Sequence, residues 1–185
     1  MKNFVFISPN FPTNYWKFCH HLKANGLRVL GIGDQPYDDL LPELKESLHE
    51  YYKVNSLENY DEVYRAMGHF IHKYGRIDWL ESNNEDWLER DAALRTDFNI
   101  SSGFQKDFME LIKHKSAMKK FYKKAGVPVA RFYLVKDLAG CKKFIKKVGF
   151  PVVAKPDNGV GASDTWKITD FDVLDRFMEK KVDGV

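Results

Sequence analysis

The chain has 185 residues, 44% apolar and 30% charged, with 15% aromatic, the make-up of a folded soluble protein with one large domain or two small ones. No apolar run approaches the roughly 18–20 residues that span a bilayer. The opening run Phe4–Ile7 is too short for a signal peptide, and Cys19 and Cys141 form no metal-spaced set, so a reduced cytoplasmic protein with no membrane partner is expected. The net charge of +3 hides an asymmetry: residues 1–104 carry 11 Lys and Arg against 16 Asp and Glu, and residues 105–185 carry 18 against 10. That shift suggests two units, 1–104 and 105–185. The basic half suits an anionic partner, or its lysine pairs are solvated helix faces.

In chain order, Val5–Ser8 reads as a strand, and Thr13 caps a helix that runs to Asn25 and stops at Gly26. Arg28–Ile32 and Tyr51–Val54 read as the next strands. Asn59–Tyr74 is an amphipathic helix with Val63, Met67, Phe70 and Ile71 on one face. Ile77–Leu80 is a fourth strand, Asp86–Asp97 a helix and Ile100–Gly103 a short extended piece. Strands alternating with helices predict a parallel α/β sheet over residues 1–104. Beyond it, Lys106–Ala125 reads as one long basic helix and Val127–Val135 as a strand. Asp137 caps a helix ending at Gly149. Pro151–Lys155 and Thr165–Ile168 are strands, and Phe171–Lys181 is a helix.

The first unit is Rossmann-like in pattern yet lacks the dinucleotide fingerprint. Ser8-Pro9-Asn10-Phe11-Pro12 follows its first strand with no glycine, so a pyrophosphate has no close approach there, and Asp34 is not read as a ribose ligand. No P-loop, G-x-S-x-G or H-E-x-x-H pattern occurs. His69 and His72 share a helix face without further ligands, and no metal-ligating set is expected.

The segment Gly149 to Thr165 carries the chemistry. The run Pro151-Val152-Val153-Ala154 reads as a buried parallel strand that delivers Lys155 to the mouth of a sheet, with Pro156 ending the pairing. Gly159-Val160-Gly161-Ala162-Ser163 follows, small enough for backbone N–H groups to approach an anion, with Ser163 or Thr165 adding a hydroxyl. Either this is a phosphate clamp, with Lys155 as its point charge, or it is a β-hairpin whose glycines serve only a turn.

The order of motifs from Lys115 to Thr165 resembles the ATP-grasp superfamily of ATP-dependent ligases, carboxylate–amine ligase-like enzymes among which are biotin carboxylase and the carbamoyl-phosphate synthase large chain. The residues that carry the resemblance are His114-Lys115-Ser116-Ala117-Met118-Lys119-Lys120-Phe121, Ala125-Gly126-Val127-Pro128-Val129, Gly149-Phe150-Pro151-Val152-Val153-Ala154-Lys155-Pro156 and Gly159-Val160-Gly161-Ala162-Ser163. The resemblance implies a parallel-sheet pre-ATP-grasp domain over 1–104, then the first α+β lobe of an ATP-grasp domain over 105–185, truncated before the second lobe. It implies ATP and Mg²⁺ as ligands, small-molecule carboxylate and amine substrates, and an acyl-phosphate intermediate. Lys115 and Lys155 would contact the phosphates, and Gly159, Gly161, Ala162 and Ser163 would cover them. The magnesium ligands are expected in the missing half, so the chain alone is expected to be inactive. Apolar surface left for that half predicts self-association, as a homodimer. The alternative is a nucleotide-binding or sensing module without ligation. Nucleic acid is not expected as a partner, because the lysines spread over several helices without a recognition motif.

In the acidic half, Glu81 and Glu85 flank Asn83 and Asn84 at a strand end, a position where α/β units hold ligands. They either bind a substrate amine or belong to a cap, with Asn84 and Asp86 meeting the dipole of the next helix. Arg90 and Arg95 bind a carboxylate or pair with Glu89 and Asp91.

Overall fold

The computed structural model describes residues 1–159 and 164–182, and the chain divides into two compact units, Met1–Met109 and Glu110–Val185. In unit 1, β1 (Asn3–Ile7), β2 (Arg28–Gly33), β3 (Glu50–Lys53) and β4 (Trp79–Glu81) form a wholly parallel sheet in the order β3-β2-β1-β4. The register pairs Val5 with Leu30 and with Leu80, and Gly31 with Tyr51. A parallel strand covered on both faces needs apolar side chains in both directions, and β1 alternates accordingly. Val5 and Ile7 join the core with Leu30, Ile32, Met67 and Phe70, whereas Phe6 joins Cys19, Leu44 and Leu48 on the opposite face.

α3 (Tyr60–Tyr74) buries Val63, Ala66, Met67 and Phe70, one stripe at helical spacing. Its cap is Asn59, whose side chain accepts from the Glu62 amide, and Gly75 closes it at φ 81°. The glycines of β2 serve packing. A Cβ on Gly31 would lie 2.9 Å from Leu48, and one on Gly33 would lie 2.5 Å from the Tyr51 hydroxyl.

Several elements differ from the sequence reading. α1 (Trp16–Ala24) starts after Tyr15, so Thr13 does not cap it. α2 (Pro42–Ser47) was not foreseen, although Pro42 at its first turn is a start signal. A 3₁₀ turn, Glu85–Trp87, precedes α4 (Leu88–Asp97). The expected long basic helix is broken: a 3₁₀ turn Lys106–Phe108 leads to α5 (Met109–Lys113), and α6 (Lys115–Lys124) begins anew after an extended His114. The break has a long-range cause, since the first two amides of α6 bond to Asp157.

In unit 2, β5 (Val152–Ala154) and β6 (Trp166–Ile168) pair antiparallel, Val153 opposite Lys167. The expected buried parallel strand is therefore an open two-stranded ribbon. Val152 and Ala154 pack inward while Val153 stays 61% exposed. Val127–Val135 forms no strand, since its backbone pairs with neither of the two described strands of this unit. α7 (Leu138–Val148) and α8 (Phe171–Val182) supply Cys141, Ile145 and Leu174, which close on Ile168. Asp137 caps α7, accepting from the Gly140 amide at 2.6 Å. No described helix is long and apolar enough to cross a membrane.

Candidate functional site

Unit 2 holds a groove of about 1270 Å³, large against the ~300–1000 Å³ usual for small-molecule sites. Five cations line it. Lys115 and Lys119 come from the first two turns of α6, Arg131 from the segment after it, Lys155 from the end of β5 and Lys180 from α8. Lys155 is exposed and has no hydrogen bond or ion pair to any described residue. Lys119 sits with its Nζ 5.0 Å from the centre of the Phe132 ring. Sequence reasoning singled out Lys115 and Lys155, read Lys119 as a solvated helix-face charge and assigned nothing to Arg131 and Lys180.

Lys115 Nζ donates to the backbone carbonyls of Gly159 at 3.1 Å and Asp157 at 3.4 Å. This places one cation beside the start of the glycine segment. Gly161, Ala162 and Ser163, named above as phosphate contacts, lie outside the described residues; Thr165 is exposed just before β6. Asp157 was missed altogether. It reads as a turn residue before Asn158-Gly159, yet its carboxylate reaches α6, where Ser116 donates its amide to Oδ1 at 2.7 Å and its hydroxyl to Oδ2 at 2.8 Å. The His114 ring lies 3.4 Å from Oδ2. Burial works to raise the Asp157 carboxyl, but the Ser116 and His114 contacts outweigh it and hold it below its ordinary range.

The strand-end carboxylates of unit 1 are arranged differently. Glu81 accepts from Arg95 Nη2 at 2.7 Å. Arg95 is itself buried, and its other nitrogens donate to the Leu80 and Phe104 carbonyls. Of the arginines expected to bind a carboxylate or to pair with Glu89 and Asp91, Arg95 pairs instead with Glu81. Asp91 is fully buried and accepts through Oδ2 from the Ser82 amide and hydroxyl at 2.9 and 2.6 Å. Its Oδ1 finds no hydrogen-bond partner among the described residues. Burial pushes this carboxyl up to about 7, against the bonds from Ser82. Asn84 caps the 3₁₀ turn, accepting from the Asp86 amide, and Glu85 lies exposed at its start. Arg90 donates to the Leu57 carbonyl and stacks on Trp87.

His69 is engaged by Glu50, which also accepts from Lys73 and Tyr74. Among the described residues no three of His, Cys, Asp and Glu come together to hold a metal ion.

No protein-family model and no curated protein matches the chain. Solved structures do. The L-amino acid ligase of Bacillus licheniformis matches at a TM-score of 0.72 and 18% identity, over 98% of this chain and 42% of that one. The biotin carboxylase domain of the Hydrogenobacter thermophilus 2-oxoglutarate carboxylase, a dimer solved with MgADP, ADP and bicarbonate, matches at 0.77 and 20% identity, over 97% and 40%. Biotin carboxylase from Campylobacter jejuni, solved as a β,γ-ATP complex, matches at 0.72 and 21%, over 97% and 41%. The chain thus spans about two fifths of the length of each. It has the mixed α/β fold of the corresponding portion of these enzymes.

Proposed function

We propose that the chain is the nucleotide-holding front portion of an ATP-dependent ligase of the ATP-grasp kind, one that activates a small carboxylate as an acyl phosphate for attack by an amine or another nucleophile. The observation that carries this reading is the convergence of Lys115 and Lys155 on one groove beside Gly159. They come from a helix start and a strand end far apart in sequence, in the motif order of such enzymes. The fold likeness supports it independently.

A triphosphate fits the donors present: five cations line the groove, and one of them, the Lys115 ammonium, is held by neutral carbonyls. Lys115 would exchange those carbonyls for charged phosphate oxygens, a stronger hydrogen bond. Lys155, exposed at the strand end, would hold the same phosphates as a point charge. Bound ATP would supply the phosphoryl group that converts the carboxylate to a mixed anhydride. The chain's part is then positioning and charge neutralisation, which lower the barrier by fixing geometry and stabilising developing negative charge. The described residues offer no carboxylate set for Mg²⁺, so no step is assigned to a metal here.

Calorimetric titration with ADP and a non-hydrolysable ATP analogue, with and without Mg²⁺, tests the reading. Micromolar binding is expected, weakened at least about tenfold by Lys155→Ala, as loss of a charged phosphate contact should do. Binding that survives Lys155→Ala would remove the clamp.

A further inference from the structure

We propose that Asp157 is the positioning residue of this site, fastening the chain after β5 onto the first turn of α6 so that Lys115 and Lys155 present their ammonium groups to the same groove. The proposal rests on the nucleotide reading above and adds a residue to it.

α6 starts poorly by itself. Its N-cap, His114, offers no side-chain cap, and its first turn holds no acidic residue. Its first residue is a lysine, a cation at the positive end of the helix dipole. Asp157 supplies what is lacking from a distant part of the chain. Its carbonyl accepts from the Lys115 amide at 3.0 Å, and its two carboxylate oxygens take the Ser116 amide and hydroxyl at 2.7 and 2.8 Å. A carboxylate bonded this way at a helix start is a charge-assisted contact, roughly twice as strong as a neutral one.

The consequence for the site is geometric. Only Pro156 separates Asp157 from Lys155, and the proline ring fixes φ there. Wherever Asp157 docks, Lys155 is carried with it. The same dock puts the Asp157 and Gly159 carbonyls under the Lys115 ammonium, 3.4 and 3.1 Å away. One carboxylate therefore sets the spacing between the two lysines. The opposite possibility is that Asp157 is an internal anion competing with phosphate for the α6 start. It has the opposite sign in the experiment.

The test titrates the full 185-residue chain with ADP and with inorganic triphosphate. Asp157→Ala should weaken both about tenfold. Asp157→Asn should stay within about threefold of the parent, because its amide oxygen still accepts from the Ser116 amide and its NH₂ can donate to the Ser116 hydroxyl. Ser116→Ala should weaken binding about threefold, and Ser116→Ala with Asp157→Ala no more than Asp157→Ala alone, the signature of one shared contact. A general loss of packing would give neither the rescue by asparagine nor this non-additivity. Should Asp157→Ala not fold, Ser116→Ala and Asp157→Asn carry the test. Unchanged binding in Asp157→Ala or Ser116→Ala overturns the proposal, as does an Asp157→Asn variant as weak as Asp157→Ala. Tighter binding in Asp157→Ala overturns it in favour of the competing anion. A parent chain that binds neither probe overturns the nucleotide reading and this proposal together.

Discussion

Unit 1 and unit 2 treat their polar groups in opposite ways. At the carboxyl end of β4, unit 1 spends its charges on itself: Arg95 on Glu81, Leu80 and Phe104, and Asp91 on Ser82. Unit 2 leaves Arg131 and Lys155 exposed on a groove and holds Lys115 with neutral carbonyls. The cores differ in parallel. Fourteen buried residues form the main core of unit 1, whereas four buried ones anchor the described part of unit 2. Unit 1 thus uses these charged groups internally, while a thin unit with exposed cations is where a ligand has most to contribute.

The largest expected effect probes the thick core. Phe70 is fully buried among Val5, Leu30 and Met67. Phe70→Ala should cost about 3–5 kcal/mol, read from urea unfolding, with hydrogen exchange assigning the loss to unit 1. Ile145→Ala in unit 2 should fall at the lower end of the ~2–5 kcal/mol range for such truncations, because a thin core can collapse around the gap. Equal losses would break the contrast between the cores.

Next in size is the pH dependence of unit 1. The folded Asp91 carboxyl, raised to about 7 by burial, keeps a proton that the unfolded chain gives up near the ordinary value of 3.8. Its contribution to stability is therefore present at low pH and is lost as pH rises from about 4 to about 7. Relative to the parent, Asp91→Asn should gain stability across that window, by at most about 4 kcal/mol, and the difference should level off above it. Parallel pH profiles for the two proteins would show that Asp91 is not protonated in the fold.

Glu81→Ala comes third. It leaves the buried Arg95 guanidinium with two carbonyls and without its ion-pair partner, at a cost of about 2 kcal/mol after allowance for the exposure of Glu81. It should not change ADP affinity by more than about twofold, since Glu81 is committed to Arg95 and does not line the groove. An ADP affinity that falls with Glu81 would give unit 1 a part in the nucleotide site.

What the sequence disclosed follows the range of the interactions involved. The unbroken apolar runs of β1 and β2, the stripe of α3 and the Asp137 cap are set within a few residues, and all were legible. The break at His114 was not, because the groups that interrupt the helix belong to Asp157. Val127–Val135 has a strand's composition, but composition does not supply a partner for its backbone. Lys119, Arg131 and Lys180 look like ordinary surface charges until the fold sets them around the same groove as Lys115. Asp91 and Arg95 look like helix-surface charges too, and only the end of β4 reveals that α4 turns them inward.

The smallest effects compare the same device in both units. Asn59 caps α3 and Asp137 caps α7, each accepting from an amide three residues on. Removal of such a cap typically costs about 1 kcal/mol. The two losses should differ, however. α3 carries Asp61 and Glu62 in its first turn, and Glu62 also accepts from the Asn55 amide at 2.6 Å, so its start keeps negative charge without Asn59. α7 has no acidic residue in its first turn and ends in Lys146 and Lys147. Asp137 is thus its one negative charge near the positive end of the dipole. Asp137→Ala should therefore cost more than Asn59→Ala, by about 0.5 kcal/mol, and the gap should shrink in high salt, where dipole interactions are screened. A gap insensitive to salt would mean that the caps differ in hydrogen-bond geometry instead of charge.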